Sequence, residues 1–231
     1  MSSFNVKILT IFPEMFPGPL GSSVLGNALS KKMWDIESIN IRDFALDKHG
    51  SVDDYPIGGG SGMLMKPDVL GRAIDYACSG MKKKKIIYMS PRGKTFTQKI
   101  AKEIVESENV VMLCGRYEGV DQRVLDYYEV EEISIGDYVI SGGELAAYVV
   151  IDSCVRLIPG VLKDQDMEES FALGTKYENL LEYPQYTRPR EWKNIEVPEV
   201  LLSGNHKKIE EWRFKKSQET TKKNRPDLLK K

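Results

Sequence analysis

Cysteine is scarce in this chain, histidine is scarcer still, and a long apolar run is missing altogether. Cys78, Cys114 and Cys154 are odd in number, widely spaced and set among apolar residues. That pattern excludes a disulfide framework or a zinc site and predicts reduced, buried thiols in a cytosolic protein. His49 and His206 stand far apart without fitting partners, so no metal centre is expected. No apolar stretch approaches the ~18 residues of a membrane span, and no membrane partner is expected. The amino end passes straight into a strand-like pattern, without the apolar core of a secretory leader, which predicts a cytoplasmic location. Net charge is also nearly absent, 33 basic against 34 acidic residues giving −1. A balanced total still permits a basic face: His206–Lys231 holds ten Lys and Arg against four Asp and Glu. Such a tail reads equally as a solvated helix face and as a surface that neutralises phosphates.

At 231 residues the chain can bury one sizeable core and carry a small second domain. Strands are predicted at Val6–Phe12, Ile36–Ile41, Lys85–Met89, Val110–Leu113 and 131–135. Helices are predicted near Ser22–Lys31, from Pro67, near Thr97–Glu106, over 120–128 and over Glu144–Leu157. Val69, Leu70, Ala73, Ile74 and Ala77 keep the 3–4 spacing of a buried helical face. Strands alternating with helices mean an α/β domain built on a mainly parallel sheet. Asp43–Met65 reads as irregular. Lys163–Tyr183 is charged and aperiodic, so it reads as a mobile linker. Beyond it, Asn205 is expected to cap a helix and Pro226 to open a last helical turn. The expected organisation is therefore a catalytic domain at 1–160, a linker at 161–183 and a small basic helical domain at 184–231.

The most informative stretch runs from Val110 to Val161, where apolar β-branched runs break twice into glycine-rich loops. Glycine at the end of a strand lets a ligand lie against bare backbone, because no Cβ stands in the way. In open α/β sheets such loops sit at the carboxyl ends of the strands, where ligands bind. Two of them close in sequence point to one pocket made largely of main chain, suited to a small, mostly neutral heterocycle. Gly58-Gly59-Gly60-Ser61-Gly62-Met63 fits neither Gly-x-Gly-x-x-Gly nor a phosphate loop, so triphosphate binding has no support.

Four longer motifs carry more. Cys114-Gly115-Arg116-Tyr117-Glu118-Gly119-Val120-Asp121, Ser134-Ile135-Gly136-Asp137-Tyr138-Val139, Ser141-Gly142-Gly143-Glu144-Leu145 and Tyr186-Thr187-Arg188-Pro189 resemble the bacterial tRNA (guanine-N1)-methyltransferase family. The resemblance runs from Ile11-Phe12-Pro13 to the basic carboxyl end. It implies a trefoil knot threaded near Ile86–Leu145, a rare topology, together with a tight homodimer and S-adenosylmethionine as cofactor. The implied cofactor loops are Met89, Ser90 and Pro91; Gly115, Arg116, Tyr117, Glu118 and Gly119; and Ile135, Gly136, Asp137, Tyr138, Val139 and Ile140. Gly142 and Gly143 lie beyond, and Leu145 is expected to pack on the adenine face. Ala146 stands where many relatives carry proline.

The resemblance also implies a carboxylate base for the guanine N1 proton and a cation near O6. Glu169 occupies the position of the family's catalytic aspartate, one methylene longer, with Asp166 and Glu168 as substitutes, and Arg156 matches the catalytic arginine. The family's carboxyl domain grips the anticodon arm of tRNA. That role carries over to Arg188, Ser203, Asn205, His206, Lys207, Lys208, Arg213 and Lys215, with DNA not expected as a partner. The expected reaction is methylation of N1 of the guanosine immediately 3′ of the anticodon. The rivals are a ribose or other-base methyltransferase of the same knotted group, and an RNA-binding protein without catalysis. The Glu169 and Arg156 pair counts against a ribose enzyme.

Overall fold

The structure is a computed structural model that describes residues 4–162 and 169–230. The chain divides into two compact units at the 163/164 boundary.

The first unit begins with β1 (Phe4–Thr10), followed by α1 (Ser23–Ser30) and β2 (Trp34–Asn40). A two-residue ribbon, β3 (Asp53–Asp54) with β4 (Leu64–Met65), interrupts the segment that the sequence marks as irregular. Then come α2 (Pro67–Cys78), β5 (Lys85–Thr95), α3 (Gln98–Val105) and β6 (Asn109–Leu113). The unit ends with α4 (Gln122–Tyr127), β7 (Glu131–Ser134) and α5 (Gly143–Val155). Five strands form one parallel sheet in the order β2-β1-β6-β5-β7.

Side-chain alternation explains the layers. Val6 and Ile8 of β1 with Val110 and Met112 of β6 face one cluster, which α1, α3 and α5 close with residues such as Leu25, Ile104 and Val150. Leu9, Val111 and Leu113 face the other, closed by Val69, Leu70 and Ile74 of α2 and by Val124 and Leu125 of α4. A sheet buried on both faces needs apolar residues at consecutive positions, which is why these strands read as continuous runs. Caps set two of the helix starts. Thr97 and Asp121 accept hydrogen bonds from Ile100 N–H and Arg123 N–H.

One strand runs further than its sequence pattern suggests. The ladder of β5 with β7 breaks after Met89 and resumes at Lys94, so the predicted end at Met89 is a bulge and not a terminus. Gly93 makes the rejoining possible, because a Cβ there would collide with the β7 backbone at Glu132 and Ile133.

The second unit holds the hairpin β8 (Glu191–Trp192) and β9 (Ile195–Glu196), α6 (Glu199–Leu202) and α7 (His206–Asn224). A 3₁₀ turn follows at Pro226–Lys230. Asn205 caps α7 by accepting from Lys208 N–H. The segment read as a mobile linker is corrected in its second half. Tyr177, Leu180 and Tyr183 are buried against Trp212 and Phe214 of α7. Leu181 N–H donates to the Thr221 hydroxyl, and Glu182 N–H to that of Ser170. These anchors recur at every third residue over only two steps, too short a run to mark a helix, and the segment folds as turns.

Candidate active site

At the carboxyl ends of β5, β6 and β7, three loops and the start of α5 enclose a cleft of about 300 Å³. The first wall is the β5 bulge, with Met89, Ser90 and Pro91. The second is the loop after β6, with Gly115, Tyr117, Glu118 and Gly119. The third follows β7, with Ile135, Gly136, Tyr138, Val139 and Ile140, and passes into Gly142 and Gly143. Glycine is needed at the joints. A Cβ on Gly143 would lie 2.8 Å from Cys114 Cα, and one on Gly115 would lie 2.6 Å from the Tyr88 ring. Gly119 and Gly136 have φ of +119° and +147°, which L side chains rarely adopt. Gly143 N–H donates to the Gly115 carbonyl at 3.1 Å, fastening the second loop to the third.

Fifteen of the seventeen residues expected at the cofactor line this cleft. Two do not. Asp137 is exposed beyond the rim, and Leu145 is 51 % exposed on the outer side of α5. Ala146, about 100° further round the helix, faces the cleft in its place. Arg116, in the second of the expected loops, lines the cleft with its neighbours. A salt bridge of 2.8 Å joins Arg116 to Glu144, whose side chain is 0 % exposed.

Arg156 is not at the cleft. It ends α5, thirteen residues beyond Gly143 (156 minus 143), which is about 20 Å along the helix axis. Glu169 is half-buried at the start of the second unit, and its carbonyl accepts from Ala172 N–H. Asp166 and Glu168 lie outside the described residues. Among the described residues no group of three or more His, Cys, Asp and Glu is placed to hold a metal. No helix among them is long and apolar enough to cross a membrane.

In the second unit, a groove of about 1010 Å³ is lined by Tyr183, Tyr186, Arg188, Arg190, Trp212 and Arg213 among others. Tyr186 and Trp212 touch with ring centroids 6.2 Å apart, and the Arg213 guanidinium lies 4.9 Å from the centre of the Tyr183 ring. His206, Lys207, Lys208 and Lys215 are exposed on α7. Ser203 and Asn205 have a local task. The Ser203 hydroxyl donates to Val200 O and accepts from Asn205 N–H, and Asn205 caps α7, so both serve the α6–α7 turn.

The family described as tRNA (Guanine-1)-methyltransferase TrmD matches residues 4–231. The chain belongs to this family. A tRNA (guanine-N(1)-)-methyltransferase of Wolbachia pipientis wMel is 58% identical over 229 residues, 98% of this chain and 96% of that protein. Proteins of the same description from Anaplasma marginale (strain Florida) and Ehrlichia canis (strain Jake) are 58% and 55% identical. Each match spans 98% of this chain, and 94% and 95% of the respective relative. The family match covers both units, so the glycine-walled cleft and the basic groove both fall within the matched residues.

Proposed function

We propose that the protein transfers a methyl group from S-adenosylmethionine to N1 of the guanosine immediately 3′ of the anticodon in tRNA. The observation that carries this reading is the backbone-walled cleft at the strand ends, in a chain of this family. The cradle suits an adenosyl group: glycines bare the main chain, and Ile135 and Ile140 offer apolar surface beside the backbone polar atoms of the β7 loop. The bound donor supplies a methyl on a sulfonium, which is lost to a nucleophile approaching in line.

The chain has to supply the rest. Guanine N1 carries a proton, and its lone pair becomes nucleophilic only as that proton leaves. Glu169 is assigned to take it, and Arg156 to stabilise the negative charge that then gathers on O6. Holding donor and acceptor in line with water excluded is the larger part of the acceleration. Arg188, Arg213 and the α7 lysines bind tRNA phosphates, and Tyr186 and Trp212 offer stacking surface to unpaired bases of the anticodon loop.

A homodimer completes the site. Arg156 sits about 20 Å down α5 from the cleft of its own chain, so in this reading a second chain supplies the arginine. The threading of 86–145 as a trefoil knot and a cytoplasmic location are parts of the same reading, supported by family membership.

The test is nucleoside analysis of tRNA incubated with protein and S-adenosylmethionine. The expected product is 1-methylguanosine in the anticodon loop. A ribose-methylated nucleoside would transfer the chain to another reaction, and no incorporation would leave a binding protein.

A further inference from the structure

We infer that the Arg116–Glu144 pair sets the electrostatic character of the cleft, with Glu144 acting as a positioning and charge-balancing residue for a cationic ligand. The inference rests on the reading that the cleft takes a sulfonium donor.

Arg116 leaves the loop after β6, and its guanidinium crosses over Gly142, where any Cβ would overlap it. It donates to the Ser141 carbonyl at 3.3 Å and lies 4.5 Å from the centre of the Phe12 ring. Its Nη2 meets Glu144 Oε2 at 2.8 Å. The other carboxylate oxygen accepts from the Thr10 hydroxyl at 2.7 Å, and Thr10 Oγ1 in turn accepts from Phe12 N–H. The end of β1, the loop after β6 and the first turn of α5 are thus joined through one carboxylate.

Stability alone does not account for this arrangement. Burying an ion pair costs a desolvation penalty that the mutual attraction roughly repays, and apolar residues of similar size do as well in a core. Position is the telling feature. Arg116 is 20 % exposed and lines the cleft, whereas Glu144 is fully buried behind it. A ligand therefore meets the positive member first. Without Glu144 the wall would present an uncompensated guanidinium, in a site too sheltered for water to screen it fully. The sulfonium donor would be repelled, and its demethylated product, a neutral thioether, would not. Cys114 adds no charge, since burial holds its thiol well above the ordinary range. Glu118 also opens onto the cleft, but from the exposed side. Glu144 acts through Arg116, so it is a positioning residue and touches no reacting atom.

The test compares affinities for S-adenosylmethionine and S-adenosylhomocysteine by calorimetry on the full-length protein. Four forms are needed: the native chain, Glu144→Gln, Arg116→Gln and the double variant. Loosening of the loops weakens both ligands alike, whereas the charge effect falls on the sulfonium alone. Glu144→Gln is expected to lower donor affinity roughly tenfold more than product affinity. Arg116→Gln should move that ratio the other way, and the double variant should return it close to native. Should Glu144→Gln fail to fold, the Arg116→Gln ratio decides the question by itself. Parallel weakening of both ligands in the folded variants overturns the inference. A native protein that binds neither ligand overturns the donor reading instead.

Discussion

Glu169, assigned as the base, is one methylene longer than the aspartate that the resemblance puts there, and the consequence can be measured. If it removes the N1 proton, Glu169→Gln keeps the shape and loses the base. Single-turnover methyl transfer at saturating tRNA should then fall on the order of 10²–10⁴-fold. Donor and tRNA affinities should hold, because the loss is confined to the transition state. Glu169→Asp should retain most of the rate, and near-native turnover in Glu169→Gln would remove the assignment. The glycines illustrate what a residue can show in sequence. Gly115, Gly142 and Gly143 stand where the chain packs closely on itself, a Cβ at each meeting Tyr88, Arg116 or Cys114. Leu145 gave the opposite lesson. The family resemblance put it against the adenine, but helical rotation turns it outward and puts Ala146 in the wall.

At the scale of elements, Tyr128 ties α4 to α2. Its hydroxyl lies 2.8 Å from the Asp75 carboxylate and 3.0 Å from the Gly71 carbonyl. Burial and then the Asp75 carboxylate raise its pKa above the ordinary tyrosine value of 10. The folded chain therefore holds this proton more tightly than the unfolded chain does. The resulting stability is fully present below about pH 10 and is lost as pH rises beyond it. Tyr128→Phe should cost about 1 kcal/mol near neutral pH and flatten the alkaline decline in melting temperature. Cys154, raised by burial, leaves a residual decline in the same direction. An alkaline slope as steep in the variant as in the native chain would count against the clamp.

On α7, Lys208 and Lys215 stand two turns apart on one face with Lys207 beside the first. Replacing the three by glutamine should lower the salt slope of tRNA binding by up to about three, one per lost phosphate contact, and leave donor affinity unchanged. An unaltered slope in filter-binding titrations would place the phosphate contacts elsewhere. Elements of the first unit were legible because doubly buried strands and amphipathic helices impose runs and periods on the sequence. The continuation of β5 past its bulge was not, since Ser90–Gly93 breaks the apolar pattern that marks a strand. Residues 169–183 were missed for a related reason. Their anchors, Tyr177, Leu180 and Tyr183, make only two three-residue steps in a charged segment, and side-chain hydrogen bonds to α7 hold it in place of a repeating ladder.

At the scale of the whole molecule, the geometry of α5 bears on how many chains make one site. The helix is apolar almost all round, and Leu145 and Val149 stay 51 % and 46 % exposed on one side. Counting on by seven and eleven from Leu145 reaches Asp152 and Arg156, so these four form one stripe. A two-fold axis through that stripe would pair two such helices antiparallel, each position i meeting j and each j meeting i. The Arg156 end of one chain would then lie beside the Gly143 end of the other. Mixed dimers discriminate this arrangement from a site complete within one chain. Arg156→Ala dimers lack the arginine everywhere, and Gly142→Val dimers lack a usable cleft, so each alone should be inactive. Co-refolding equal amounts of the two should restore activity, because the mixed dimer joins an intact cleft to an intact arginine from the other chain. With half the dimers mixed and one working site in each, about a quarter of native activity is expected. If Arg156 served its own cleft, every site in the mixture would carry one defect and no activity would return. A native protein that sediments as a monomer at assay concentration would defeat the shared site at once.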